Sequence, residues 1–368
     1  MSRGQGFAIT LHWVLPYFHD TLTQQLIENV EASQVDLETA RNDTGNFLFL
    51  NLETIEAKFR IPPNKRYRVK REVLRDVLLQ GITDHIHWGK RLDDIRTTEH
   101  GVTATFTDGT TADGRVLVGA DGCNSSVRRW LLPETHHCKR IPVDVITVSV
   151  AVPVDEAKPI RNIDPLLFQG VHPRTGNYLW VSIIDTPESN GTAGTDNEMY
   201  HYQVSVSWLS ERGDGIPDTA AGRVAAMKIH AEGFHPILRK LVDSIPDDAP
   251  AQETPLREWE CLPWNNRNGL VTLIGDAAHA MSMYRGEGAN HGLLDAFVLC
   301  HAMKQIYSNE KSQKEALQLY EEEMRERVVP SIRLSRDACI EAHDFDGLNE
   351  NSAILRRRAL KGLPQLNK

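Results

Sequence analysis

Apolar positions recur along the chain with two periods, and the places where one gives way to the other predict its layout. Arg71-Glu-Val-Leu-Arg-Asp-Val-Leu-Leu-Gln80 sets Val73, Leu74, Val77 and Leu78 on one helical face, and Gly81 supplies the C-terminal stop. A short extended piece and then a helix over about 15–30 are expected before it, and 46–52 reads as a strand. Residues 101–107 alternate, and Asp108-Gly109 marks the hairpin of a β-meander. Arg115-Val-Leu-Val-Gly-Ala120 scarcely alternates, the pattern of a strand buried on both faces of a parallel sheet. The character then changes: 145–154, 178–184 and 202–208 read as antiparallel strands separated by Gly-, Pro- and Asn-rich turns. The buried pattern returns at 270–274, followed by a helical stretch to about Asn309. Another helix runs from Lys314 to about His343, broken near Pro330, and the chain beyond Gly347 reads as a solvated basic tail. This order describes one α/β nucleotide-binding domain, 1–141 and 257–345 with the meander around 82–112. A substrate-binding domain at 142–256 interrupts it, and a tail occupies 346–368.

Bulk properties narrow the function classes. A chain of 368 residues is long enough for two domains, and 40% hydrophobic with 25% charged residues is ordinary for a globular protein. A formal charge of −9 argues against nucleic acid or an anionic membrane surface as partner, which leaves a small, partly apolar molecule. No run of about 18 apolar residues occurs, so no membrane-spanning helix is expected. The apolar stretch at 6–18 is interrupted by His12 and lacks a small-residue cleavage site, so it does not read as a signal peptide. Cys123, Cys138, Cys261, Cys300 and Cys339 form no Cys-x-x-Cys pair. Their odd count argues against a disulfide scaffold or a zinc site and fits a reducing, cytoplasmic setting.

Three segments carry the chemistry. They are Arg71-x-x-Leu74, then Gly119-Ala-Asp121-Gly122-Cys-Asn-Ser125-Ser-Val127-Arg128, and then Gly275-Asp276-Ala277-Ala-His279-Ala-Met281-Ser-Met-Tyr-Arg-Gly286-Glu-Gly288-Ala289-Asn290-His-Gly292-Leu-Leu-Asp295-Ala296. A strand over 270–274 delivers Asp276 to a crevice at its C-terminal end, the usual ligand position in open α/β sheets. Gly286-x-Gly288-Ala289-Asn290 then permits close backbone approach and opens a helix whose N-terminus favours an anion. His279 has either a structural or a ligand-contacting role. His85-Ile-His87 looks like strand alternation with no further ligands nearby, His136-His137-Cys138 looks like a loop, and no metal site or nucleophile motif is expected.

In order and spacing the three segments resemble the p-hydroxybenzoate-hydroxylase-like FAD monooxygenases, particularly branches of secondary metabolism, over about residues 5–345. The resemblance implies an FAD/NAD(P)-binding Rossmann-like domain with an inserted, mainly antiparallel substrate domain and C-terminal helices. It implies FAD contacts from Arg71, Asp121, Gly122, Gly275, Asp276, Ala277, Gly286, Gly288, Ala289 and Asn290, with Arg128 contributing charge or an internal hydrogen bond. NADPH or NADH would be co-substrate, and O2 would hydroxylate, epoxidise or Baeyer–Villiger-oxidise a small organic metabolite. No side chain is singled out as catalytic, because the flavin carries the bond-making. His172, Tyr178, Trp180, Tyr202 and Trp208 are expected to form the pocket wall. Met283 stands where the family often has proline. The family's opening Gly-x-Gly-x-x-Gly turn is not found, and the match begins near Arg3-Gly4…Leu11-His12-Trp13, so the fold is expected to lack its first βαβ unit. Two other readings stay open: a protein that keeps the fold without holding FAD, and a flavin oxidase or dehydrogenase.

Overall fold

Alternating apolar residues in the middle of the chain pair into one seven-stranded sheet. The computed structural model describes residues 7–43, 47–61, 65–99, 101–210 and 215–356. Across the sheet the order is Gln252–Glu253, Val143–Pro153, Met199–Leu209, Tyr178–Asp185, Leu167–Val171, Phe47–Asn51 and Ala57–Ile61. Neighbours run antiparallel except Leu167–Val171, which lies parallel to Phe47–Asn51. Two strands from the early chain therefore complete a sheet that extends beyond the 142–256 span. The helices Ala220–His230 and Pro236–Asp243 bury Val224, Met227, Leu238 and Leu241 in the same core.

A second core surrounds two parallel strands, Leu117–Gly119 and Val271–Leu273, whose register pairs Leu273 with Gly119. Both strand tips, carrying Asp121 and Asp276, therefore emerge at one end. The β-meander follows at Leu92–Thr97, Val102–Phe106 and Thr111–Gly114. Gly109 turns its hairpin at a φ of +82°.

Several expectations are corrected. The helix expected over 15–30 is two, Leu15–Thr21 and Gln24–Ala32, because the Thr23 hydroxyl caps the second by accepting from the Leu26 N–H. The strand at 117–119 is not buried on both faces: among the described residues only Val271–Leu273 pairs with it, and Val118 is 39% exposed. The helix Gln313–Glu341 runs through Pro330 unbroken. One donor is lost there, while Met324, Val328 and Ile332 seat both halves in one core. The tail is not solvated as far as it is described: Leu348, Ala353, Ile354 and Leu355 are buried in the core of the large sheet. Residues 357–368, Arg3, Gly4 and Asn46 lie outside the described residues. His85 and His87 are exposed, and His85 closes a 3-10 turn, not a strand.

The elements around the second core are tied together by one buried charge. Asp295, fully buried on the helix Gly288–Tyr307, accepts from the Gly275 N–H at 2.9 Å. It lies 2.6 Å from His279 Nε2 and 2.8 Å from the Arg327 guanidinium of the long helix. Arg327 also binds His291 Nδ1 and the Glu323 carboxylate. Burial pushes the Asp295 carboxyl up, but His279 and Arg327 outweigh it and hold the group well below the ordinary carboxylate range. Nearby, Glu321 is gripped by Thr272, Asn266 and Trp264. Burial dominates there, against those hydrogen bonds, and raises its carboxyl to about 7.

These two acids titrate oppositely. Asp295, depressed in the fold, contributes stability that is present above about pH 4 and lost as pH falls. Asp295→Asn should remove that acid dependence and cost about 3–5 kcal/mol at neutral pH, read from urea unfolding. Glu321, raised in the fold, contributes stability that is present below about pH 4.5 and lost as pH rises through about 7. In Glu321→Gln, unfolding curves taken at pH 5 and pH 7.5 should lose this part of the difference between them.

Candidate active site

A cavity of about 330 Å³ lies between the large sheet and the turn that follows the Val271–Leu273 strand. The strand Ala8–Leu11, paired antiparallel with Tyr67–Lys70, supplies part of its wall. At one end stand Asp276, Gly286, Gly288 and Ala289; at the other stand Phe47, Ile61, Leu167, Tyr178 and Trp180.

The polar end is built by backbone conformation. Gly275 takes a φ of +60° and Gly286 one of +61°, the left-handed region that a side chain resists. Gly275 and Gly292 approach closely enough that a Cβ on Gly292 would stand 3.5 Å from the Gly275 Cα. A Cβ on Gly288 would stand 3.8 Å from an Asp276 carboxylate oxygen, so carboxylate and helix opening share one corner. Asp276 is exposed, and the first N–H groups of the helix Gly288–Tyr307 lack partners within it. This corner fits a ligand bearing hydroxyls and a negatively polarised ring edge.

The intervening loop is clamped on several sides. The Ser282 hydroxyl donates to the Ser335 carbonyl at 2.6 Å, and the Tyr284 hydroxyl meets Ser207, which in turn meets His343 Nε2. Arg285 pairs with Glu287 at 3.0 Å and donates to the Ala353 carbonyl, which explains why the C-terminal segment is packed. Met283, at the expected proline position, begins the 3-10 turn Met283–Arg285 and lines the cavity.

The site residues expected from sequence therefore separate. Gly275, Asp276, Gly286, Gly288 and Ala289 converge on one corner, four of them lining the cavity. Ala277 is buried and offers its carbonyl to Arg128. Asn290 is also buried: its Oδ1 accepts from the His12 N–H and its Nδ2 donates to the Thr10 and Gly286 carbonyls, so it ties the early strand to the helix mouth. Asp121 caps the helix Ser126–Leu131 through the Ser126 and Val127 N–H groups, beside Gly122 at a φ of +78°. Arg128 is buried and donates to the carbonyls of His136, Asp276 and Ala277, an internal brace between the second and third segments. Arg71 opens the helix Arg71–Leu78 exposed, its N–H donating to the carbonyl of the lining residue Phe7, and is not itself among the lining residues. His279 is fully buried on Asp295, a structural position.

Sheet register sorts the expected pocket wall. Tyr178, Trp180 and Ser182 pair with Ser207, Ser205 and Gln203, and side chains of paired residues share a face. Tyr178, Trp180 and Gln203 line the cavity, whereas Tyr202 and Trp208 point to the opposite face, where Trp208 stacks on His230. His172 packs against Phe234. Of the five, only Tyr178 and Trp180 reach the cavity.

Arg68 was missed. In Tyr67-Arg-Val-Lys70 it reads as the solvated half of an alternating strand, but the large sheet covers that face and leaves it 4% exposed. It lines the cavity with Arg66. Arg66 is paired with Asp43 at 2.7 Å, while Arg68 donates to the hydroxyls of Thr10 and Ser182. Burial, and then the Arg66 charge, lower the Arg68 guanidinium to about 9. Among the described residues no group of His, Cys, Asp and Glu could hold a metal, and no helix is long and apolar enough to cross a membrane.

Comparison with known proteins agrees with this geometry. A family model described as an FAD binding domain matches residues 67–334. The chain is 41% identical over 314 residues to the FAD-dependent monooxygenase dbaB of Emericella nidulans, covering 84% of this chain and 79% of that one. It is 32% identical over 308 residues to the FAD-dependent monooxygenase tazP of Aspergillus terreus, covering 80% and 75%. In fold it is similar to Klebsiella pneumoniae HpxO complexed with FAD and uric acid, with a TM-score of 0.71, 19% identity, and coverage of 94% and 82%. With the family model spanning both the Arg68 strand and the Asp276 turn, the chain belongs to the FAD-binding-domain family and is an FAD-dependent monooxygenase of the aromatic-hydroxylase type.

Proposed function

We propose that this oxidoreductase uses NAD(P)H and O2 to insert one oxygen atom into a small, flat secondary metabolite held in the cavity between sheet and helix mouth. The observation that carries the reading is the cavity's polarity: Asp276 and a glycine-opened helix end face an apolar, aromatic wall. Asp276, Gly286, Gly288 and Ala289 would hold the flavin portion of FAD, with Asp276 accepting hydrogen bonds from its hydroxyls. When bound, FAD supplies the reduction and oxygen-activation chemistry. The helix end favours negative charge placed before it. Phe47, Leu167, Tyr178 and Trp180 provide a water-poor surface on which an aromatic skeleton can lie, which shields reactive oxygen from solvent.

Purified protein should take up FAD and turn yellow, and should consume O2 with NADPH or NADH in the presence of an accepted substrate. Labelled O2 should leave one labelled atom in the product. Asp276→Ala should weaken FAD binding by about 10- to 100-fold, the loss of a charge-assisted hydrogen bond. Protein that stays colourless and gains no thermal stability from FAD would instead be a fold without the cofactor. Oxygen consumption without label in product would make it an oxidase.

A further inference from the structure

We infer that Arg68 reads the substrate, its guanidinium taking an ionised oxygen (phenolate, enolate or carboxylate) carried by a planar apolar skeleton. The inference rests on the cavity being the substrate site.

Three observations lead to it. Arg68 is 4% exposed and lines the cavity, yet no carboxylate among the described residues lies within ion-pair distance of it. Both of its protein acceptors are neutral hydroxyls, Thr10 Oγ1 at 3.0 Å and Ser182 Oγ at 2.8 Å, and its Nε has no hydrogen-bond partner. Ser182 also accepts from the Trp180 indole at 3.0 Å, so it has little capacity to neutralise a neighbouring cation. A buried, uncompensated guanidinium is costly, and the fold answers Arg66 with Asp43, Arg285 with Glu287 and Arg327 with Asp295, while the buried Arg128 has the carbonyls of His136, Asp276 and Ala277 for its fork. Arg68 is answered only by the cavity. A bound oxyanion would supply the missing counter-charge, and the planar fork suits it better than an ammonium. Phe47, Leu167 and Trp180 on the same wall set the rest of the ligand as flat and apolar. The one carboxylate among the described lining residues, Asp276, stands at the corner assigned to the cofactor.

The test uses the full chain with FAD added. Quenching of tryptophan fluorescence, to which Trp180 in the wall contributes, is titrated with three probes of similar size: 4-nitrophenol at a pH where it is ionised, 4-nitrobenzoate, and neutral 4-nitrotoluene. The native chain should bind at least one anion about tenfold or more tighter than the neutral probe, and the identity of that anion separates phenolate from carboxylate. Arg68→Met should lower anion binding by about 10- to 100-fold and leave 4-nitrotoluene within about twofold, with Arg68→Lys recovering part of the loss. Equal binding of all three probes by the native chain overturns the assignment without needing any variant to fold. Unchanged anion binding in a folded Arg68→Met does the same. If that variant weakens FAD by the factor it weakens the anion, the guanidinium serves the cofactor and the proposal falls. If no probe binds, the neutral one included, the cavity is not the substrate site and the reading beneath the proposal fails with it.

Discussion

The arrangement depends on one buried carboxylate. Asp295 holds the Gly275 N–H, His279 and Arg327 at once, and so joins the strand tip, the helix that opens at Gly288 and the long C-terminal helix. A lone carboxylate in that position would be expelled by its own desolvation. Three donors, two from the turn after the strand and one from the long helix, reverse the balance, which is why the group stays ionised inside the protein and why those elements cannot shift independently. The Asp276 turn, displaced even slightly, would no longer bring its carboxylate to the helix opening.

A second constraint comes from pleating. Side chains alternate across the sheet, so the pairing of Tyr178, Trp180 and Ser182 with Ser207, Ser205 and Gln203 decides which residues face the cavity. Tyr202 and Trp208 are as aromatic as Tyr178 and Trp180 but have the other parity, and they go to the opposite side. The same covering of a strand face turns Arg68 from an apparently solvated residue into a buried cation. Its two hydroxyl partners come from different elements, Thr10 in the early strand and Ser182 in the large sheet. The guanidinium thus sits at the seam between the two bodies.

The loop between the strand tip and the helix is held from several directions, and this bears on the end of the chain. Arg285 reaches the Ala353 carbonyl, Ser282 the long helix, and Tyr284 the Ser207–His343 pair. Segments far apart in sequence thereby shape one wall. A basic composition beyond Gly347 suggested a solvated tail, yet Leu348, Ala353 and Ile354 supply enough apolar surface to be buried against the core.

Local chemistry alone was enough to place the glycine-opened turn, the acidic strand tip, the meander hairpin at Asp108-Gly109 and the strand rhythm of the middle region. Each depends on neighbours within a few residues: glycine's freedom at positive φ, the period of two, the free N–H groups of a helix start. The same residues, with their spacing, carried the resemblance to the flavin monooxygenases. Tertiary structure alone decided that strands at 47–61 join the large sheet, that Pro330 leaves its helix whole, and that Asn290 and Ala277 brace the site without lining it. It also placed Arg68 in the cavity lining and left Arg71 out of it. Those outcomes turn on which face of an element another element covers, and on donors and acceptors hundreds of positions apart, neither of which a linear pattern encodes.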